Sequence, residues 1–282
     1  MKEKAKKKEK KLNKAVKAVI IITILVVVFV AAAYLIVYLS GYRIIRYKSP
    51  EGETKFFGKV DSQGLPYKGT VYFANGEKAT INLAENTIEY SDGAIYVGET
   101  KDLLPHGKGK LTMGSEKNNN LETYEGDFFE GEITGYGTYI YGPLIGDKYE
   151  GFMTKGKPDG QGKYTWADGS VYEGGYKDGM KDGEGLYIWG AEDSVVSSYK
   201  GTFKNDVKDG YGEFVFSNGD KYEGEVKADV RDGQGTYTWK SGEYYVGEFK
   251  NNMMDGHGIY FWTSGRSYEG TFKENKIVWE LD

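Results

Sequence analysis

Tyr245-Val246-Gly247-Glu248-Phe249, followed by Asp255-Gly256-His257-Gly258-Ile259-Tyr260-Phe261-Trp262, is one copy of a sentence this chain writes seven times. The other copies begin at Tyr96, Tyr124, Tyr149, Tyr172, Tyr199 and Tyr222, and an eighth, starting at Tyr268, stops short. Each has Tyr-x-Gly, then Gly-x-Gly beginning eleven residues after the Tyr. Self-similarity at such a period predicts stacked supersecondary units rather than a pocket enzyme.

Within each half the period is two. Tyr245, Gly247 and Phe249 alternate with Val246 and Glu248, and Gly256, Gly258, Tyr260 and Trp262 alternate with His257, Ile259 and Phe261. That alternation predicts β-strands with aromatics and glycines on one face. The glycines also disfavour a helix. Each unit is therefore expected to be a two-stranded hairpin, with an aromatic ring lying over a glycine backbone. Asp168-Gly169, Asn218-Gly219, Ser241-Gly242 and Ser264-Gly265 suit tight turns between one hairpin and the next. From the Tyr to the last aromatic slot (Met113, Tyr141, Trp166, Trp189, Phe216, Trp239, Trp262) the spacing never changes. The length variation falls after that slot, chiefly at Gly114 to Asn120 and Ala191 to Ser198, and so on one edge of the array. Such an edge either binds a partner or simply tolerates insertions, and the second is the plainer reading.

The pattern Tyr-x-Gly-x-Phe/Tyr, Asp-Gly-x-Gly-x-Tyr-x-Trp, Gly resembles the MORN (membrane occupation and recognition nexus) repeat over roughly two-thirds of the chain. The resemblance implies an all-β fold, an elongated, twisted antiparallel sheet of stacked hairpins, and scaffold or recognition duty toward proteins or membrane lipids. The lipid kinase domain that accompanies the repeats in some relatives is missing here. The copy at Tyr96 departs from the pattern, with Thr100, His106 and Met113 in the aromatic, Asp and Trp slots.

Ahead of the repeats, Ala18 to Leu39 is an apolar run without a charge. As a helix it spans about 33 Å, enough for a bilayer core. Tyr34, Tyr38 and Tyr42 lie toward its far end, as interfacial aromatics do. Its length favours an uncleaved anchor over a cleavable signal peptide, although Ala31-Ala32-Ala33 offers small residues. Nine Lys and two Glu precede the run, which places the N-terminus in the cytoplasm and the repeats outside it at the cell membrane. The expected organisation is a basic tail over 1–17, a transmembrane helix over 18–40, a linker over 41–66, a degenerate first repeat over 67–95, seven repeats over 96–267 and a partial terminal repeat over 268–282. In the degenerate unit, Tyr67-Lys68-Gly69 reads as a first half-repeat and Asn75-Gly76 as a hairpin turn. Ile277, Trp279 and Leu281 suggest a closing strand.

From Ser49 onward 25 Lys and Arg face 40 Asp and Glu, a net charge of −15. That argues against nucleic acid, which wants a basic surface, and against the array lying on anionic lipid over a broad face. The absence of Cys excludes disulfides and thiol chemistry. The 33 Lys against 4 Arg fit an AT-rich bacterial genome. The Gly-x-Gly pairs recur in every copy without the third Gly of a nucleotide loop, and neither a P-loop nor a kinase motif set is present. His106 and His257 stand alone, and His257 is expected on the solvated face. Asp159, Asp182, Asp209, Asp232 and Asp255 precede the Gly-x-Gly pairs; a Ca²⁺-binding carboxylate row is weighed against a turn Asp bonding its own backbone, and the turn is preferred. Met180, Val207, Val230 and Met253 form either an apolar ridge or loop packing.

These readings point to a non-catalytic, membrane-anchored scaffold that binds a protein or polymer, with a lipid- or membrane-surface-binding module as the alternative. No cofactor or metal is expected. The candidate binding surface is the aromatic row Tyr164, Trp166, Tyr187, Trp189, Tyr237, Trp239, Tyr260 and Trp262, unless these rings are core between units.

Overall fold

The computed structural model describes residues 2–49, 52–115, 120–142, 145–190 and 195–279. The chain divides into two compact units, Met1–Asp92 and Gly93–Asp282.

The first unit opens with helix α1 (Lys2–Leu39), which runs through the basic tail as well as the apolar segment. Val16–Leu39 is long and apolar enough to cross a membrane and is wholly uncovered by protein; a signal sequence passes the same test. Five strands follow, β1 (Tyr42–Ser49), β2 (Gly52–Val60), β3 (Pro66–Tyr72), β4 (Lys78–Asn82) and β5 (Thr87–Tyr90), each pairing antiparallel with the next. Segment 41–66, expected to be a linker, thus holds two strands. Their alternation is legible afterwards: Phe56 is buried and its neighbours Lys55 and Phe57 are exposed. Gly69 sits opposite Gly58 on β2, and Phe56 covers both. The unit that uses Gly69 therefore starts at Phe56, with Phe in the Tyr slot, and not at Tyr67. Asn75-Gly76 does turn the β3–β4 hairpin, with Phe73 N–H on Glu77 O at 2.8 Å and Gly76 at φ 89°.

The second unit is a meander running from strand Ile95–Lys101 to strand Lys276–Ile277, each strand pairing antiparallel with its neighbours in sequence. The repeat at Tyr245 shows the logic. Tyr244–Lys250 and Met253–Phe261 form its hairpin, closed by Asn251 and Asn252 at φ 48° and 70°. Two consecutive positive φ values make a type I′ turn, whose twist matches the strands it joins. The turn between repeats lies at the other edge, where Gly265 N–H reaches Trp262 O and Trp262 N–H reaches Arg266 O, both at 2.9 Å.

The two glycines of Gly-x-Gly have different physical reasons. Gly256, at φ 122°, lies in a bulge where the register shifts between Gly247 and Phe249. Gly258 faces Gly247 across the hairpin and Gly270 on the following strand, and the Tyr245 ring covers the Gly247–Gly258 pair. A Cβ on Gly247 would stand 2.5 Å from the Gly258 Cα. Paired glycines recur hairpin by hairpin from Gly98 and Gly109 onward, and they let each Tyr lie flat on the backbone. Tyr96, Tyr124, Tyr149, Tyr172, Tyr199, Tyr222 and Tyr245 are all 0% exposed.

The third row of the core fills the gaps between these tyrosines. Phe249 meets Tyr222 and Tyr245 edge-on at 5.0 and 5.3 Å, and Phe203 meets Tyr172 and Tyr199 at 5.0 and 5.2 Å. Each such contact adds about 0.5–1.5 kcal/mol to area burial. One ring thus joins two repeats. The first insertion extends its hairpin, with Ser115 paired to Asn120; residues 116–119 and 191–194 of the two insertions, and Leu281 of the expected closing strand, lie outside the described residues. That closing strand is short, Lys276–Ile277, and Trp279 packs against Tyr268 at 5.1 Å.

Candidate functional site

The aromatic row expected to bind a partner is a ring-on-ring ribbon. Tyr164–Trp166, Trp166–Tyr187 and Tyr187–Trp189 lie 4.5, 5.1 and 4.4 Å apart. Tyr237–Trp239, Trp239–Tyr260 and Tyr260–Trp262 follow at 4.7, 5.2 and 4.9 Å. Phe214 and Phe216 stand between the two stretches. All eight residues are half-buried.

Their hydroxyls are engaged inside the fold. Tyr164 donates to Asp147 Oδ2 at 2.8 Å, Tyr237 to Asp220 Oδ2 at 2.7 Å and Tyr260 to Glu243 Oε2 at 3.0 Å. Asp147 and Asp220 also accept the N–H of Ala167 and Lys240, both at 2.9 Å. Each of these two carboxylates therefore ties the second strand of its repeat to the turn that follows. Burial, with Asp220 and Glu243 as hydrogen-bond acceptors, pushes the Tyr237 and Tyr260 hydroxyls up to about 12.

The Asp row does something other than either expectation. The hairpin turn lies at Asn251-Asn252, so Asp255 is in a strand, and its carboxylate reaches the next repeat. Asp159, Asp182, Asp209, Asp232 and Asp255 accept the N–H of Asp178, Asn205, Ala228, Asn251 and Glu274, at 3.2–3.4 Å. The acceptor faces the first residue of the following type I′ turn, whose N–H points back along the array. Among the described residues no group of three or more His, Asp or Glu is placed to hold a metal ion.

A second set of contacts between repeats has no counterpart in the sequence expectations. Asp206, Asp229, Asn252 and Asn275, each in a type I′ turn, accept through Oδ1 the N–H of Lys181, Lys208, Arg231 and Met254 at 2.8–3.1 Å. Their own N–H groups bond the carbonyls of the same four residues at 2.9–3.0 Å. Lys181 and Lys208 add ion pairs to Asp206 and Asp229 and lie over Trp166 and Trp189 at 5.8 and 5.5 Å. Arg231 sits among Phe216, Tyr222, Tyr237 and Phe249, and burial lowers its pKa. The sequence signal was a basic residue nine positions after the Tyr in three consecutive copies. Of the supposed ridge, Met180 is 38% exposed, while Val207, Val230 and Met253 are half-buried.

The face opposite the rings is uncovered. His257 is exposed there. Tyr136 and Phe152, 52% and 49% exposed, meet edge-on at 5.5 Å. Beside them a shallow open depression of about 570 Å³ runs over a glycine floor, with Val97, Lys108, Lys110, Glu125, Tyr136 and Thr138 around it. His106 Nδ1 is buried without a hydrogen-bond partner, and its ring lies 5.3 Å from Phe129.

Among solved structures, the TCP10 domain of Danio rerio CPAP is 14% identical, with 81% of this chain and 94% of that one covered at a TM-score of 0.34. The SAS-4 (dCPAP) TCP domain of Drosophila melanogaster, solved with a proline-rich motif of Ana2 (dSTIL), is 13% identical, with 76% and 96% covered at 0.29. Scores this low carry no argument about fold or partner. No curated protein sequence matches the chain. The MORN repeat model matches residues 124–143, 149–171, 172–193, 199–221, 222–244 and 245–265, six of the seven units built on a Tyr over paired glycines. The chain is a MORN-repeat protein.

Proposed function

We propose that the chain is a non-catalytic scaffold, anchored by α1 with its N-terminus in the cytoplasm, that presents the repeat sheet outside the membrane to a protein or polymer partner. One observation carries the reading: the ring-face tyrosines and the Asp rows join strands and repeats, and the opposite sheet face is left uncovered. The aromatic pair Tyr136 and Phe152 is the strongest anchor on that face, because rigid exposed rings give large contact area at low entropic cost. The ring ribbon from Tyr164 to Trp262 is assigned to architecture. The net charge of −15 from Ser49 onward speaks against the array itself lying on anionic lipid.

A photo-crosslinking residue at Phe152, in full-length chain in intact cells, tests this. The expected result is one dominant adduct that disappears when Tyr136→Ser is added. Adducts formed equally from Phe152 and from Trp239 would remove the distinction between the two faces.

A further inference from the structure

The first unit has a face of its own. On β1 to β5, Phe56, Val71, Ala79, Ile81 and Ile88 point to one side and are 0–3% exposed. Register places the alternate residues together on the other side: Arg46 opposite Lys55, Lys55 opposite Tyr72, Lys59 opposite Lys68, and Tyr72 opposite Lys78. With Lys48, that face carries six cations. Among the described residues two carboxylates share it, Glu53 and Glu89, and Glu53 already lies between Arg46 at 3.7 Å and Lys55 at 3.5 Å. The unit's other described carboxylates beyond α1, Asp61, Glu77, Glu85 and Asp92, sit outside the strands. Among the cations stand Ile44, Phe57 and Tyr72, at 66%, 42% and 47% exposure.

We infer that this exposed β1–β5 face docks on an anionic bilayer surface at the foot of α1. The inference rests on α1 being a membrane anchor, and it concerns residues outside the six segments that match the MORN repeat. Two features favour a bilayer over any other occupant. The charge is complementary, in a chain that is otherwise strongly acidic after Ser49. The face also begins two residues beyond the helix, and Arg43 binds that junction, with its guanidinium on Tyr38 O at 2.7 Å and over the Tyr38 ring at 3.6 Å. A basic residue near anionic lipid contributes roughly fivefold to membrane partition, and the exposed apolar side chains suit the headgroup boundary. Tethering makes even a weak surface effective.

The chain has no Cys, so one introduced thiol gives a unique label. Thr80→Cys reports on the exposed face of β4, and Thr238→Cys on the repeat array as control. Labelled full-length chain is reconstituted in phosphatidylcholine vesicles, or in equal parts phosphatidylcholine and phosphatidylglycerol, with a quencher on the headgroups. Expected is several-fold stronger quenching of the Thr80→Cys label on the anionic vesicles. It is relieved at about 1 M salt, where the Debye length is about 3 Å. It is also lost in the Arg46→Gln, Lys55→Gln, Lys68→Gln triple variant, while the Thr238→Cys label does not distinguish the vesicles. Equal quenching on both vesicles overturns the inference. So does undiminished quenching in a triple variant that melts like its parent, or a preference of the face for polyglutamate over the anionic vesicle, which makes the occupant an acidic protein. Extraction of the chain by alkaline carbonate contradicts the anchor alone, because quenching before the wash still decides the docking.

Discussion

The hydroxyl of Tyr245 donates to the carbonyl oxygen of Glu248 at 3.1 Å, across the point where the strand register breaks between Gly247 and Phe249. Glu248 has no residue directly opposite on the next strand, and the tyrosine supplies the missing donor. The same bond recurs from Tyr149 to Phe152 at 2.7 Å and from Tyr222 to Glu225 at 2.7 Å. Tyr rather than Phe in this slot is thus a hydrogen-bond requirement set by the bulge. Tyr222→Phe should destabilise the array by about 1–3 kcal/mol, the cost of a buried acceptor left unpaired. Denaturant unfolding of the full chain checks it, and a midpoint equal to the parent's would show that water satisfies the carbonyl instead.

The glycine under the ring makes a sharper test. The three atoms nearest to a Cβ on Gly258 all belong to the Tyr245 side chain. Gly258→Ala should cost about 1–3 kcal/mol by overpacking. In a Tyr245→Leu background, itself destabilised, most of that increment should vanish. A double-mutant cycle showing no coupling would place the clash in the backbone.

Trp239 is half-buried between Tyr237 and Tyr260. Trp239→Ala should lower stability by about 2–3 kcal/mol, less than the roughly 3–5 kcal/mol of a fully buried ring. Partner capture by the fraction still folded should be unchanged. An unaltered melting temperature with lost capture would return the ribbon to the binding surface.

Alkali should unfold the array in one pH window. Burial pushes the hydroxyls of Tyr124, Tyr199 and Tyr245 from 10.0 up to about 12. A raised folded pKa contributes stability that is fully present below pH 10 and is lost as pH rises toward 12. In a spectrophotometric titration these tyrosines should ionise only with loss of the β-sheet circular dichroism. Smooth ionisation near pH 10 with the sheet intact would contradict their burial.

Much of the second unit was legible because its strands alternate with period two and its turns use Gly at fixed offsets. The strand faces, the turns at Gly169, Gly219, Gly242 and Gly265, and the edge carrying the insertions all follow from that. Not every type I′ turn has such a mark: Asn205-Asp206, Ala228-Asp229, Asn251-Asn252 and Glu274-Asn275 lack the Gly that Glu130-Gly131, Lys155-Gly156 and Asp178-Gly179 carry. Asp255-Gly256 has turn composition but lies at a bulge. Asp206, Asp229 and Asn252 look like turn residues in sequence, and only the register shows that they clamp the preceding hairpin. In the first unit Phe56 stands in the Tyr slot, which hides the repeat pattern, so 41–66 has the sequence of a linker and the fold of two strands. Its basic face depends on the pairing of four strands and has no one-dimensional signature.

The proposed arrangement is an anchored chain with its recognition array beyond the membrane. Protease added to intact cells that display the full chain with a tag before Lys2 tests it most directly. The account predicts loss of the array from outside, with the tag retained on a membrane-bound fragment containing α1. An array digested only after lysis would contradict it.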